Sequence, residues 1–490
     1  MERFIYQFAS LFTIVVLCGS CSEEFLDRYH PGNLGYDKLY ISESDFNAAL
    51  AGCYQSIQGT STNTVYLGEL PGDNLYTSRY QTAGAPVDLN RLAFTGQTGI
   101  FSTYWSSNYA TVQRVNLLID KVQAAALSAE IKEKLIAEAR FLRAYAYFNL
   151  VRVFGGVPLY DKSVALSETY TVPRATEEEV LALVIADLQE AAKLDGYRTT
   201  EERNLSGGRA TSVAANTLLA KAYLWKRDFA AAEGVLAEVV NSGKSLVGLE
   251  LLYHPDQPFN EEIIFSVNYD RADGFGSPFV DAVVPYNAPQ GLVYPNVPGS
   301  TGSGHFLVEP YTAAKFADED KRKSMLMREV TFDNLGTTES HLYSLKYIDP
   351  STTFNKLSGA NTIILRFADV LLMYAEALNE NGKTAQAYTY INQVRARAGV
   401  GTLPEGLSKS GMFAALAEER QKEFLMEGDR WFDLRFRGMD YLKSEMAAFL
   451  PHARLEQNRL VVVEDYHVLF PLPEEQLQIK PGILIQNTGY

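Results

Sequence analysis

The architecture of this chain is set by residues 210–241, ATSVAANTLLAKAYLWKRDFAAAEGVLAEVVN, and by residues 367–399, FADVLLMYAEALNENGKTAQAYTYINQVRARAG. Each stretch contains two apolar segments of helical periodicity around a short turn, Arg227-Asp228 in the first and Gly382-Lys383 in the second. Because apolar residues recur at three- and four-residue steps, each stretch predicts a pair of amphipathic helices.

Two helices in about 33 residues, with alanine at the positions of close contact, resemble the hairpins of tetratricopeptide repeats. A single amphipathic pair cannot bury its apolar face alone, so such pairs stack side by side. The two stretches therefore predict an all-α dominated fold, a solenoid of helical hairpins.

Helical periodicity also occurs outside these two stretches. The clearest case is residues 129–153, where apolar residues recur every third or fourth position before Gly155-Gly156 ends the helix. A short strand is predicted at Ile263–Val267. Further helices are predicted at about residues 44–57, 105–125, 177–193 (with Thr176 as the cap) and 412–427. The helical core is thus expected at about 41–57, 105–241 and 366–440.

Two long insertions lack this periodicity and are rich in Gly, Asn and Tyr: about residues 58–104 and about 242–365. Loops of this length in a compact protein are usually functional. The chain has 29 Tyr and 26 Phe residues, and an exposed flat ring can cover the apolar C–H face of a sugar. Polar side chains beside such rings can bond to its hydroxyl groups. The predicted ligand-binding residues are Asp73, Asn74, Tyr76, Arg79 and Tyr80 in the first insertion and Tyr286, Asn287 and Tyr294 in the second, with Phe275 behind them.

The N-terminus reads MERFIYQFASLFTIVVLCGSCSEEFLD. Its apolar run is too short to span a bilayer and fits the core of a signal peptide. Cys21 follows small residues at the cleavage position, which indicates a bacterial lipoprotein. We expect a signal peptide at residues 1–20, lipidation of Cys21, a tether over residues 21–40 and a single domain over 41–490. An ordinary secretory signal, in which Cys21 has no special role, is the alternative.

Composition excludes some classes of function. A formal net charge of −15 argues against nucleic-acid binding, which depends on Lys and Arg neutralising phosphates. The sequence contains no HExxH helix, G-x-S-x-G elbow, phosphate loop or C-x-x-C pair, so we expect no metal and no cofactor. An acidic cluster includes Glu419, Glu423, Glu427, Asp429 and Asp433. A glycosidase needs only two carboxylates, but the interleaved Arg420, Arg430 and Arg435 favour a structural charge network, with Trp431 packed in the core.

Several motifs together resemble the SusD/RagB family of Bacteroidetes outer-membrane lipoproteins. They are CSEEFLD at residues 21–27, AEARFLRAYAYFNLVRVFGGVPL at 137–159, ILRFADVLLMYAEALNE at 364–380, INQVRARAG at 391–399, EGDRWFDLRF at 427–436 and LFPLPEEQLQIKPGILIQNTGY at 469–490. They occur in the family's order. Cys18 in the lipidation motif and Lys480, where the family commonly has Asn, are departures.

The resemblance implies a helical body of about four tetratricopeptide-like pairs, irregular ligand-binding loops and a few short strands. It also implies a surface-exposed, lipid-anchored outer-membrane protein without catalytic activity. Such a protein binds an oligosaccharide or another nutrient and delivers it to a TonB-dependent SusC-like barrel. Two alternatives stay open: a glycoside hydrolase, and a tetratricopeptide adaptor that binds no small molecule.

Overall fold

The structure is a computed structural model that describes residues 40–197, 208–272, 274–289, 302–351, 358–454 and 462–490. The predicted signal peptide, Cys21 and Tyr294 lie outside the described residues. The α-helices within these ranges are α1 (Glu43–Glu69), α2 (Ala85–Asn90), α3 (Gly99–Ala124), α4 (Ala129–Phe154), α5 (Leu166–Thr169), α6 (Glu177–Ala191), α7 (Ser212–Trp225), α8 (Phe229–Val240), α9 (Leu249–Leu252), α10 (Phe279–Val283), α11 (Pro310–Ala313), α12 (Lys321–Met325), α13 (Phe367–Glu380), α14 (Thr384–Ala398), α15 (Lys409–Glu423), α16 (Arg430–Phe436), α17 (Met439–Phe449) and α18 (Glu474–Ile479).

The helices pack in series, which confirms the predicted helix-dominated fold. The two quoted stretches form the hairpins α7–α8 and α13–α14, and α8 packs against α13. On the other side α7 contacts α6, α6 contacts α4, and α4 contacts α3, which lies on α1. Arg227 and Gly382 take positive φ angles of 66° and 76° in the two hairpin turns. The number of tetratricopeptide-like pairs, about four, stays a prediction.

Helix α4, which the sequence pattern predicts, packs against α1, α3 and α6 in the body. The Ser128 side chain caps its first turn, and Gly155, with φ of 71°, follows its end. Every residue from Phe141 to Phe154 is buried. The free thiol of Cys53 on α1 is also buried, and this burial raises its pKa to about 12, so it behaves as a small apolar side chain.

The first insertion is shorter than the sequence predicts. Helix α1 continues past residue 57 to Glu69, and α3 begins at Gly99 instead of residue 105. Residues 58–69 are rich in Thr, Ser, Gly and Asn, which favour loops. In the structure the hydroxyl groups of Ser61 and Thr64 bond back to helix carbonyls, and the inner face of this segment is buried. Tertiary packing therefore overrides the local preference. Helix α15 differs as well, because it ends at Glu423 and not at residue 427.

Six strands form two antiparallel sheets within the described ranges. The predicted strand, β2 (Ile263–Val267), is confirmed and pairs with β6 (Thr362–Arg366). The second sheet has the order β1-β3-β5-β4, with β1 at Leu75–Tyr76, β3 at Leu307–Val308, β4 at Met327–Asn334 and β5 at Thr337–Ser344. Its strand β1 comes from the first insertion and its other strands come from the second. The two insertions are thus joined by backbone hydrogen bonds.

Candidate ligand-binding site

The four-stranded sheet brings the predicted residues of both insertions to one place. Leu75 pairs with Val308 and Tyr76 with Leu307, while β3 pairs in turn with β5. The chain that follows β1 carries Arg79 and Tyr80, and it passes beside Tyr286, which forms a bridge with Gly302. The sheet is therefore the scaffold of the candidate site.

Asp73 and Asn74 are buried and anchor the first insertion, contrary to the prediction that they contact ligand. Two oxygens of the Asp73 carboxylate accept hydrogen bonds from Arg430 at 2.6 and 2.8 Å. Gln421 donates to both Asp73 and Asn74. Burial alone would raise the pKa of Asp73, but the Arg430 guanidinium holds it below its ordinary value. The side chains of Asp73 and Asn74, which were predicted to bond to sugar hydroxyls, are thus hydrogen-bonded to residues of α15 and α16.

Tyr76 is also buried, with 1% of its surface exposed, so the prediction that it is a stacking platform is wrong. Its hydroxyl lies 2.8 Å from Nδ1 of His341, and it accepts a hydrogen bond of 2.6 Å from Arg454. Nε2 of His341 lies 3.0 Å from Oε2 of Glu339. Tyr76 therefore supports the underside of the sheet next to the hairpin β4–β5.

Tyr80 and Tyr286, one predicted ligand-binding residue from each insertion, lie against each other. Their ring centroids lie 5.1 Å apart and the ring planes are inclined by 26°, so the rings stack across the junction of the two insertions. Both residues are partly exposed. The Arg79 guanidinium lies 5.1 Å from the centre of the Tyr80 ring. The pair forms an aromatic surface that no single insertion could provide.

The hairpin β4–β5 holds this aromatic pair in position. The Tyr80 hydroxyl donates to Oε1 of Glu339 at 3.0 Å, and Arg79 forms an ion pair with the same carboxylate. Burial opposes ionisation of Glu339. Hydrogen bonds from His341, Asn334 and Tyr80 and the charge of Arg79 nevertheless hold its pKa below its ordinary value. The Tyr80 ring is thereby fixed at both its face and its hydroxyl group.

On the second insertion, Asn287 and Tyr286 are held by Asn334. The Asn287 amide donates to the Asn334 side chain at 3.3 Å, and Asn334 donates to the Tyr286 carbonyl at 3.3 Å. Asn287 has a positive φ of 55°, which Asn tolerates better than most residues. Within the described part of the chain, the Tyr286 hydroxyl has no hydrogen-bond partner. Tyr286 thus offers a supported ring and an available hydroxyl group.

The residues that organise the site, Asn334, Glu339 and His341, were not predicted from the sequence. They lie on β4 and β5, within an insertion that the sequence analysis treated as loop. The sequence did contain a signal for a β-hairpin. In MREVTFDNLGTTESHLYS, residues 327–344, two strand-like segments flank the two-residue turn Leu335-Gly336. Leu335 and Gly336 have φ angles of 53° and 83°, the conformation of a tight hairpin turn.

Phe275 lies elsewhere and is not behind Tyr286. It is 59% exposed and lines a separate groove of about 620 Å³ along the N-terminal half of α1. Its lining includes the polar side chains of Asn47, Gln55, Gln58 and Asn268. The prediction that Phe275 belongs to the same group as Tyr286 is therefore wrong.

Glu69, at the end of α1, braces the loop that leads to the site. Its carboxylate accepts hydrogen bonds from the Asn74 amide at 3.1 Å and from the backbone N–H of Gly428 at 2.9 Å. Complete burial outweighs these bonds and raises the pKa of Glu69 from its ordinary value of 4.5 to about 7. Ionisation of Glu69 therefore opposes folding near neutral pH.

Replacement of Glu69 by Gln should remove a pH-dependent contribution to stability. The folded wild-type protein keeps a proton that the unfolded chain releases above about pH 4.5, so its stability falls as the pH rises toward 7. The difference in free energy of unfolding between wild type and Glu69→Gln should change by on the order of 3 kcal/mol between pH 5 and 7.5. Urea denaturation at several pH values measures this difference. Desolvation lowers the pKa values of His305 and His467 to about 4, so both titrate alike in the two proteins and their effects cancel. Parallel curves would contradict the assignment of the pH dependence to Glu69.

The acidic cluster on α15, α16 and the turn between them is a structural charge network, as predicted. Glu419 pairs with Arg322 at 2.7 Å, Glu427 with Lys346 at 2.6 Å, and Asp433 with Arg420 at 2.9 Å. Trp431 is fully buried. These carboxylates are neutralised inside the body, so the cluster does not resemble the open acid–base pair of a glycosidase.

Among the residues that the structure describes, no group of His, Cys, Asp and Glu side chains is arranged to hold a metal ion. None of the helices in the described ranges is long and apolar enough to cross a membrane.

Comparisons with known proteins agree with this fold. A family model described as "SusD family" matches residues 327–490, and one described as "Starch-binding associating with outer membrane" matches residues 24–224. The chain is 28% identical to SusD-like protein P25 of Formosa agariphila, over 97% of this chain and 98% of the relative. It is similar to the structure of a laminarin binding SusD-like protein, with a TM-score of 0.75, 25% identity, and coverage of 92% of this chain and all of the other. Surface glycan-binding protein A from Bacteroides fluxus shares the fold, with a TM-score of 0.77, 22% identity and coverage of 92% and 100%.

Proposed function

The chain belongs to the SusD family, and from this premise we propose that it is a glycan-binding lipoprotein of the outer-membrane surface. The observation that carries the proposal is the stacked pair Tyr80–Tyr286, which joins the two insertions and is partly exposed. Relatives that are named for laminarin binding and for surface glycan binding support the ligand class.

The chemistry of the site fits a sugar. An aromatic ring can lie against the apolar C–H face of a pyranose, while nearby polar groups bond to its hydroxyls. Here the ring surface is bordered by Arg79 and Asn287, and the Tyr286 hydroxyl is available. Both rings are partly exposed, so we expect an open binding surface and modest affinity. Modest affinity suits a protein that must release its cargo.

The remaining parts of the proposal concern location and delivery. We propose that residues 1–20 are a signal peptide, that Cys21 is lipidated, and that residues 21–40 tether the domain to the outer membrane. The family model's description, which associates the match with the outer membrane, supports this location. We further propose that the protein transfers its ligand to a SusC-like TonB-dependent barrel. Co-purification of the full chain with such a barrel tests the partnership.

The proposal includes no catalytic step. The names of the relatives describe binding, and the acidic cluster of α15 and α16 is engaged in ion pairs. A reducing-sugar assay on the glycans that bind distinguishes this function from a glycoside hydrolase, because turnover would show hydrolysis. Binding to a barrel without binding to any glycan would instead favour a tetratricopeptide adaptor.

Replacement of Tyr286 by Ala should weaken glycan binding by roughly tenfold, since the loss of a central ring contact costs about 1.4 kcal/mol. Isothermal titration against a glycan panel, with laminarin included, measures the effect. Tyr80→Ala should weaken binding at least as much, because it removes the support of the Tyr286 ring. Phe259→Ala is the matched control, since Phe259 is 49% exposed and is not part of the aromatic pair. Unchanged affinity in both tyrosine variants would place the ligand elsewhere.

A further inference from the structure

A second groove lies between α3, the segment that carries α5, and the C-terminal helix α18. Its volume is about 390 Å³, within the size range of small-molecule sites. The lining includes Trp105, Tyr109, Tyr160, Tyr170 and Lys480. Tyr80, Tyr286 and the residues around them do not line this groove, so the two sites are separate.

The walls of this groove are aromatic. The rings of Trp105 and Tyr109 lie 4.9 Å apart, and Tyr109 meets Tyr160 edge to face at 5.8 Å. These three rings pack into the body, while Tyr170 at the rim is 43% exposed and Ile479 is 50% exposed. The groove therefore combines a rigid aromatic interior with an accessible ring at its edge.

Lys480 places a positive charge inside this aromatic groove. The residue is 7% exposed, and its ammonium group donates to the Tyr160 hydroxyl at 3.2 Å. Its distance from the centre of the Tyr160 ring is 5.9 Å. Among the residues that the structure describes, no carboxylate forms an ion pair with Lys480. Burial accordingly lowers the pKa of the Lys480 ammonium below its ordinary value.

A buried ammonium without a counter-ion carries a desolvation cost that an anion in the groove would offset. Lys346, a lysine that is similarly buried, pairs with the Glu427 carboxylate. Lys480 instead lines the groove with the Tyr160 hydroxyl as its neighbour. The groove is concave and carries a single recessed positive charge. A small anionic ligand fits these features better than the flat surface of a partner protein would.

We propose that this groove is a second ligand site that binds an anionic sugar unit, carboxylated or sulfated. The ring of the sugar would lie against the aromatic wall near Tyr170, and its anionic group would pair with the Lys480 ammonium. The choice of a sugar rests on the proposed glycan-binding function, whereas the requirement for an anion rests on Lys480 alone.

The test is isothermal titration of the full chain with three probes: an oligogalacturonate, a sulfated galactose oligosaccharide and a neutral galactose oligosaccharide of equal length. At least one anionic probe should bind ten times more tightly than the neutral one, and the two anionic probes distinguish carboxylate from sulfate recognition. Lys480→Met keeps the length of the side chain and should remove this preference. Tyr170→Ala changes a residue at the rim and should weaken binding several-fold without disturbing the fold.

Tyr286→Ala separates this proposal from the proposed function. Binding of the anionic probe that survives Tyr286→Ala but is lost in Lys480→Met supports the second site, even if no neutral glycan binds the protein. Three results would overturn it: equal affinity for neutral and anionic probes, no binding of either anionic probe, or wild-type binding of the anionic probe in Lys480→Met. Loss of anionic-probe binding in Tyr286→Ala would also overturn it, because it would assign the anion to the Tyr80–Tyr286 pair.

Discussion

Replacement of Glu423 by Ala is expected to lower the free energy of unfolding by about 3–5 kcal/mol, the effect of breaking a buried ion pair by removing one partner. The Glu423 carboxylate pairs with Arg366 at 2.6 Å and with Arg322 at 3.0 Å, and it also contacts Arg397. All four side chains are at least nine-tenths buried. The substitution leaves three guanidinium groups close together without their shared anion. Chemical denaturation, monitored by circular dichroism, measures the loss.

Glu418→Ala is the control for this prediction, because Glu418 lies on the same helix but is 59% exposed. In the described part of the chain its ion-pair partner is Lys422, one turn further along. An exposed pair of this kind contributes little, so its removal should change stability by less than about 0.5 kcal/mol. Equal effects of the two substitutions would show that the network around Glu423 does not stabilise the fold.

The second large effect is expected for Gly68→Ala. A Cβ atom on Gly68 would lie 1.8 Å from the carbonyl oxygen of Gly428 and 2.3 Å from its carbonyl carbon. Both are backbone atoms, so the end of α1 and the turn at Gly428 must move apart. We expect a loss of about 3 kcal/mol or more in the free energy of unfolding, at the upper end for overpacked sites. Thermal and chemical denaturation both report it.

Gly52→Ala is the matched control on the same helix. Nothing lies within 4 Å of the position that its Cβ would occupy. Because alanine favours the helical conformation over glycine, this variant should be more stable than wild type by about 0.5–1 kcal/mol. Opposite signs for the two substitutions would confirm that the close approach to Gly428, and not helix propensity, determines the result. A neutral Gly68→Ala variant would contradict it.

The elements predicted correctly are those whose residues carry their own local signal. Helix α4 has an unbroken apolar pattern and a glycine stop, and the hairpins α7–α8 and α13–α14 have alanine-rich faces with defined turns. The local sequence of residues 58–69 favours a loop, and their helical form depends on burial against partners such as Gly428. No pattern within that segment specifies those partners.

The roles of the site residues were likewise not predictable from the local sequence alone. Asp73 and Tyr76 stand beside Tyr80 in the sequence, so composition alone could not separate them. What separates them is Arg430 and Arg454, which come from the far end of the chain and bury the first two. Tyr80 and Tyr286 were expected to serve the same purpose, and the structure stacks them. Their assignment to ligand binding stays a prediction until it is tested.

The pairing of Leu75 with Val308 has a consequence for how the proposed binding surface forms. These two residues are separated by most of the helical body, so their pairing closes a very long loop, and closing such a loop costs chain entropy that local helices do not pay. Contacts of this kind form after local ones during folding. The Tyr80–Tyr286 surface is therefore expected to be among the last parts of the molecule to assemble. A chain truncated before β3 would be helical but would lack the assembled Tyr80–Tyr286 surface.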